Sequence, residues 1–282
     1  MLGPTVAGSW YPSNPAELRR QIEGFLSAGG ATEKAKGSPV ALIAPHAGFV
    51  YSGAVAARAF RLLRARPIRR VVLIGPSHYA AFRGARVPRA TTYRTPLGEI
   101  DLDATAIESV LDPPFVAADD EPFEREHCLE AEIPFLQCVL ADGWSMVPML
   151  IGGATTAERR SELSRALQPL IDGGTVVVVS SDFTHYGDGF HYTPFRRDVR
   201  DRIRELDMGA IDRIVAIDRT GFDSYVAETG ATICGRVAIG VLLGLEFGAV
   251  DARLIDYATS GEITGDWGHC VSYAAVGFWG GA

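Results

Sequence analysis

Four short runs of unbroken apolar sequence, at 40–44, 71–75, 147–151 and 175–180, limit the folds open to this chain more than any other feature it has. A strand with one wet face alternates apolar and polar residues. A strand that is apolar throughout needs cover on both faces, which is the condition inside a parallel sheet between helical layers. Helical patterns fill the intervals. Residues 52–65 are rich in Ala, Leu and Arg. Leu129, Ile133, Leu136 and Leu140 recur at three- and four-residue steps, with Pro134 placed to bend or delay that helix. Residues 156–171 open on a Thr suited to capping and carry Glu158 in the first turn. Further helices are expected at 195–217 and 233–247, and closing strands at 252–258 and 271–278. This alternation predicts an α/β fold with a largely parallel central sheet covered by helices on both faces. The chain has 282 residues, 47% of them hydrophobic, and no internal repeat. Its one linker-like stretch, 28–38, lies too near the end to divide it, so a single domain over 1–282 is expected.

The charge balance narrows the function. A formal net charge of -7 has the wrong sign for contact with phosphate backbones, so no nucleic-acid partner is expected. Basic clusters at 66–70 and 196–204 are interrupted by apolar or acidic residues and read as solvated helix faces. The opening MLGPTVAGSWYPSNP lacks the basic and apolar regions of a signal peptide, and stretches such as 237–245 are far too short to span a membrane. Four cysteines without a CxxC pair or framework spacing fit reduced thiols, so a cytoplasmic protein off the membrane is expected.

The residues immediately after each apolar run carry the chemistry. VALIAP leads into His46, VVLIGPS into His78, and TVVVVSS into Asp182 and His185. In a parallel α/β sheet these are the carboxyl ends of strands, the edge where such folds bind ligands. A lone histidine is more often a satisfied core residue, but three strands delivering imidazole or carboxylate to one edge point to a shared site. Gly48, Gly53 and Gly75 would permit tight turns and close backbone approach there. Cys234 stands at the start of an apolar helical pattern, where a helix amino terminus favours thiolate, although a buried hydrophobic thiol is equally consistent with its position. Glu126, His127 and Glu130 cluster in EREHCLEAE. They read either as carboxylates that orient a ligating histidine or as acids complementing a helix dipole. Cys128, Cys138 and Cys270 read as structural, and His191 and His269 as surface residues.

At these residues the chain resembles the Memo family, named for the mediator of ErbB2-driven cell motility and known in prokaryotes as AmmeMemoRadiSam system protein B. The motifs that carry the resemblance are AGSWYP at 7–12, APHAGFVYSG at 44–53, GPSHY at 75–79, YRTPLGE at 93–99, EHCLEAEIPF at 126–135, SSDFTHYG at 180–187, ATICGRVAIGVLL at 231–243 and VSYAA at 271–275. The resemblance implies a fold similar to the class III extradiol dioxygenases and a metal held by two histidines and a cysteine. These ligands fall on His46, His78 and Cys234. Asp182 and His185 would line the same pocket, with Trp10 at its mouth and Tyr11 beside it. The resemblance also implies iron(II), with copper or zinc as alternatives, and association with radical-SAM and AMMECR-like proteins. The dioxygenases use a carboxylate where this family has the cysteine, so ring cleavage does not carry over with the fold.

Three functions are compatible with these residues, in descending order. The first is a non-haem metal oxidoreductase acting on a small aromatic or peptide substrate, with His185 as acid or base oriented by Asp182 or Glu126, and with Trp10 and Tyr11 against the substrate. The second is a non-catalytic metal- or peptide-binding module. A hydrolase with Cys234 as nucleophile comes last, because it leaves His46 and His78 without a role.

Overall fold

The computed structural model describes residues 1–28 and 37–280. Most of the linker-like stretch lies outside the described residues. In chain order the strands are β1 Pro39–Ala44, β2 Arg70–Pro76, β3 Ala85–Val87, β4 Thr92–Thr95, β5 Gly98–Asp101, β6 Val116–Ala118, β7 Ser145–Ile151, β8 Thr175–Ser180, β9 His185–Gly187, β10 Val250–Thr259 and β11 His269–Gly280. The helices are α1 Pro15–Ala28, α2 Phe49–Phe60, α3 Ala104–Ser109, α4 Ile133–Val139, α5 Ala157–Leu167, α6 Val199–Val215, α7 Arg219–Thr229, α8 Arg236–Leu242 and α9 Ser260–Thr264.

The four unbroken apolar runs are β1, β2, β7 and β8, and they are the centre of the main sheet. Its order is β10-β11-β1-β8-β2-β7-β3-β6. The run β1-β8-β2-β7 is parallel throughout. The flanks are not: β11 pairs antiparallel with β1 and β10, and β3 antiparallel with β7. Every residue of β8 is buried, so both of its faces are covered. Two helical groups supply that cover. Helices α1, α2 and α4 pack together with α2 against β1, and α5, α7 and α8 pack together with α8 against β8 and β2.

Local chemistry explains the element boundaries. Pro134 sits in the first turn of α4 and does delay that helix, because its missing N–H costs nothing there. Thr156 caps α5 by accepting from the Arg159 N–H, as its position in the sequence suggested. The pattern at 233–247 yields only the short α8, starting at Arg236. Helix α7, which the sequence pattern did not disclose, opens on the Asp218 cap, whose carboxylate accepts from the Gly221 N–H. No helix among the described residues is long and apolar enough to cross a membrane.

Candidate metal centre

His46, His78 and Asp182 each stand two residues beyond the end of a parallel strand, on β1, β2 and β8. Register pairs Ala44 with Ser180 and Ile74 with Val179, so the three strands end within one residue of one another and project their polar residues to one edge. His46 Nδ1 is 2.7 Å from Ser180 Oγ. His78 Nδ1 donates to Glu126 Oε1 at 2.8 Å, and the His78 backbone N–H donates to Glu126 Oε2 at 2.6 Å. With both Nδ1 atoms engaged, each ring has its Nε2 lone pair for a ligand. This is the outer arrangement that fixes ligating histidines in metalloproteins.

Cys234 reaches the same place from the loop before α8. Its Sγ is 3.4 Å from His46 Nε2 and accepts from the Asp182 N–H at 3.1 Å. Two donors bound tetrahedrally at ~2.1 Å for nitrogen and ~2.3 Å for sulfur sit about 3.6 Å apart, so this pair fits around one ion. Gly235 lets the loop approach so closely, since a Cβ there would meet Ser181 Cβ at 2.4 Å and the Ser180 carbonyl at 2.9 Å. Of the two readings its sequence position left open, the buried thiol holds, not the one activated by a helix terminus. Burial, with the Asp182 charge beside it, pushes it well above the ordinary thiol range.

His127 is the residue that strand-end reasoning missed. It lies in the irregular segment ahead of α4, not at a strand end. Its ring stacks on His78 with centroids 4.6 Å apart and meets His46 edge-on at 5.5 Å. His46, His78 and His127 can present nitrogens that all lie within 4.8 Å of one another. His127 Nδ1 is buried with no hydrogen-bond partner among the described residues. Gly75 is what admits this segment: a Cβ there would meet Cys128 Sγ at 2.6 Å and a Leu129 methyl at 2.8 Å. The signal that could have found His127 was its position directly after Glu126, the carboxylate that holds His78.

Burial lowers His46 well below the ordinary imidazole range, reinforced by His78, so it stays neutral and able to ligate. Burial likewise brings His127 down to about 3, helped by the same two histidines. Burial pushes the Glu126 carboxyl up, but its hydrogen bond with His78 and the nearby imidazoles outweigh this and hold it at about 2. Asp182 Oδ1 accepts the His46 N–H at 2.9 Å, and burial raises its carboxyl.

Behind His46 lies a buried polar chain that the sequence did not single out. Ser180 Oγ is 2.7 Å from the Cys128 carbonyl, 2.8 Å from Glu132 Oε1 and 2.7 Å from His46 Nδ1. Ser180 has one proton, and the carbonyl can only accept it. The serine oxygen then accepts from His46 Nδ1–H and from Glu132 as the neutral acid. Burial raises Glu132 well above the carboxylate range, and its other oxygen has no partner, which a neutral carboxyl tolerates far better than an anion.

The remaining sequence candidates separate. His185 Nδ1 donates toward the Phe183 and Thr232 carbonyls at 2.9 and 3.0 Å, which fixes its tautomer and leaves Nε2 as the basic atom. Trp10 packs on His127 with centroids 4.4 Å apart. It also lines an adjoining cavity of about 490 Å³, largely apolar, shared with Gly48, Val50, Tyr51, His269 and Tyr273. Tyr11 turns inward: it is 3% exposed and its hydroxyl donates to Glu130. Glu130 also accepts from the Thr5 and Val6 N–H groups, so it anchors the amino-terminal arm rather than the site.

The sequence profile of the family described as Memo-like protein matches residues 3–277. The chain belongs to that family. A MEMO1 family protein of Methanopyrus kandleri is 33% identical over 98% of each chain. Protein MEMO1 of Danio rerio is 32% identical, covering 95% of this chain and 94% of the relative. Among solved structures, an uncharacterized protein from Escherichia coli K12 aligns with a TM-score of 0.53 at 17% identity, over 84% of this chain and 98% of the other. That likeness concerns the fold, which matches the α/β architecture described above. Several of the motifs that carry the Memo resemblance, those around His46, His78, His127, Asp182 and Cys234, build this strand-end cluster.

Proposed function

We propose that this Memo-family protein binds a metal ion at the strand-end cluster, with His46, His78 and Cys234 as ligands, and acts as an oxidoreductase on a small aromatic or peptide substrate. The observation that carries the reading is the pairing of a 3.4 Å Nε2–Sγ separation with Nδ1 atoms already held by Ser180 and Glu126. Iron(II) is the first choice, with copper or zinc as alternatives, because one thiolate with two imidazoles suits all three. When bound, a redox-active ion there would supply electron transfer and Lewis acidity. The protein's own groups do the rest. His185 Nε2 is the proton acceptor, its ring fixed by two carbonyls. Asp182 orients His46 through its backbone N–H. Trp10 and Tyr51 wall the adjoining cavity and suit an aromatic ring. A nucleophilic role for Cys234 as a hydrolase is disfavoured by the upward push on its thiol. Four free cysteines agree with a reducing, cytoplasmic setting.

The stacked geometry of His127 favours one variant of this reading, in which His127 joins His46 and His78. One experiment distinguishes the two. Metal per chain is measured after purification without oxygen, in the wild type and in His46→Ala, Cys234→Ala and His127→Ala. Near-stoichiometric metal lost in the first two and kept in His127→Ala supports the thiolate site. Loss in His127→Ala with retention in Cys234→Ala supports three imidazoles. A wild type that stays metal-poor after reconstitution sinks both. Oxygen uptake with phenolic substrates then tests turnover.

A further inference from the structure

A second cavity, of about 500 Å³, lies on the other side of the loop that carries Cys234. Its walls are the loop after β7, α5, one side of α7 and the segment from Gly230 to Val237. That segment has two working sides. The Thr232 carbonyl and Cys234 Sγ face His185 and His46, while Arg236 and Val237 line the second cavity.

The charges around it are unbalanced. Arg160 is nine-tenths buried and grips Asp223 with two bonds, Nη1–Oδ1 at 2.7 Å and Nη2–Oδ2 at 2.6 Å, while its Nε is buried without a partner. Arg219 stands close by, drawn below its ordinary range by burial and by the charge of Arg160. Arg236 is exposed on the cavity wall, and among the described residues its guanidinium has no hydrogen-bond or ion-pair partner. Asp223 is the lone carboxylate in the lining, and Arg160 already claims both its oxygens. With Arg160 and Asp223 paired, the lining keeps one uncompensated guanidinium, a local positive excess that favours anions on a chain of formal charge -7. Thr155 and Thr232 add hydroxyls to the lining, and Val226 and Ala227 give it a half-exposed apolar patch. The volume lies within the range of small-molecule sites.

We propose that this cavity is a binding site for a small organic oxyanion, its carboxylate or phosphate head on Arg236 and its apolar body against Val226 and Ala227. The guanidinium fork matches either head. No proposed metal ligand lines this cavity, so the anion site is tested separately from the metal-binding proposal.

The test is amide-resolved NMR titration of the EDTA-treated full chain with benzoate, benzyl alcohol and inorganic phosphate. Benzoate is expected to shift the amides of Ala231, Thr232, Arg236 and Val237, with little effect from benzyl alcohol. Arg236→Gln, a surface change, is expected to weaken benzoate about tenfold or more, as loss of a charge-assisted pair does, and added salt to weaken it further. Phosphate binding with none from benzoate would support the site and assign the phosphate source. The proposal is overturned if neither anion shifts this segment, if Arg236→Gln binds as the wild type does, or if the shifts fall around His46 and His78 instead.

Discussion

Ser180 is the residue on which the candidate site turns, because three groups compete for one hydroxyl. The assignment of Glu132 as a neutral acid makes a sharp prediction. Glu132→Gln keeps a neutral donor toward Ser180 and is expected to change stability by no more than about 1 kcal/mol, the size of an ordinary hydrogen-bond rearrangement. An ionised Glu132 would instead make that change severe, and urea unfolding separates the two. Ser180→Ala removes the acceptor for His46 Nδ1 and is expected to weaken metal binding roughly 10–100-fold with the fold intact. Metal-competition titration beside circular dichroism reads this. The imidazoles set the acid response of the metal-free protein. His127 is held at about 3 when folded, below the usual imidazole value. The unfolded chain therefore takes up the proton first, and stability is complete above ~6.5 and is lost as pH falls toward 3. Glu126, lowered to about 2, extends the loss below ~4.5 in the same direction. Unfolding midpoints at pH 7 and pH 4 should differ markedly, and His127→Gln should narrow the gap. A gap unchanged in that variant would remove His127 as the cause.

Among the elements, strand ends and two glycines assemble the cluster. Strands β1, β8 and β2 end within one residue of one another, so sheet register brings His46, Asp182 and His78 to one edge. The approach of the other two segments depends on missing side chains. Gly235 seats the Cys234 loop on the end of β8, and Gly75 admits the segment bearing His127. Gly235→Ala puts a methyl against Ser181 and the Ser180 backbone, and it is expected to cost about 1–3 kcal/mol as overpacking does. It should also lower metal affinity, because Cys234 rides on that loop. A variant that loses stability yet binds metal at full strength would show that the loop's seat and the thiol's position are independent. The apolar strands and the helix caps at Thr156 and Pro134 were legible because local chemistry sets them. Helix α7 and the short strands β3 and β6 were not, since each is too brief or too polar to show a period without its packing partners.

Across the molecule as a unit, five segments far apart in sequence close on one volume, so a bound ion would cross-link the fold. Any ligand that binds only the folded state stabilises it by mass action, by about 2.7 kcal/mol at a hundredfold excess over Kd. The metal-loaded wild type is therefore expected to melt above the EDTA-treated protein, with that difference abolished in His46→Ala. Equal melting temperatures with metal demonstrably bound would mean that the ion adds no constraint to the folded state.

Local pattern in the chain was enough to specify the parallel centre of the sheet and most of its polar edge. Unbroken apolar runs demand cover on both faces, and the residues beyond them must emerge at the carboxyl edge, which places His46, His78 and Asp182 together from the pattern alone. The other features of the site arise only when the chain is folded. Packing brings His127 in from an irregular segment, turns Tyr11 away into the core, and decides between the two readings of Cys234 by burying its thiol. It also makes Glu132 a buried acid behind Ser180. Each of these depends on distance between segments and on exclusion of water, and neither quantity is written in the local pattern of a chain.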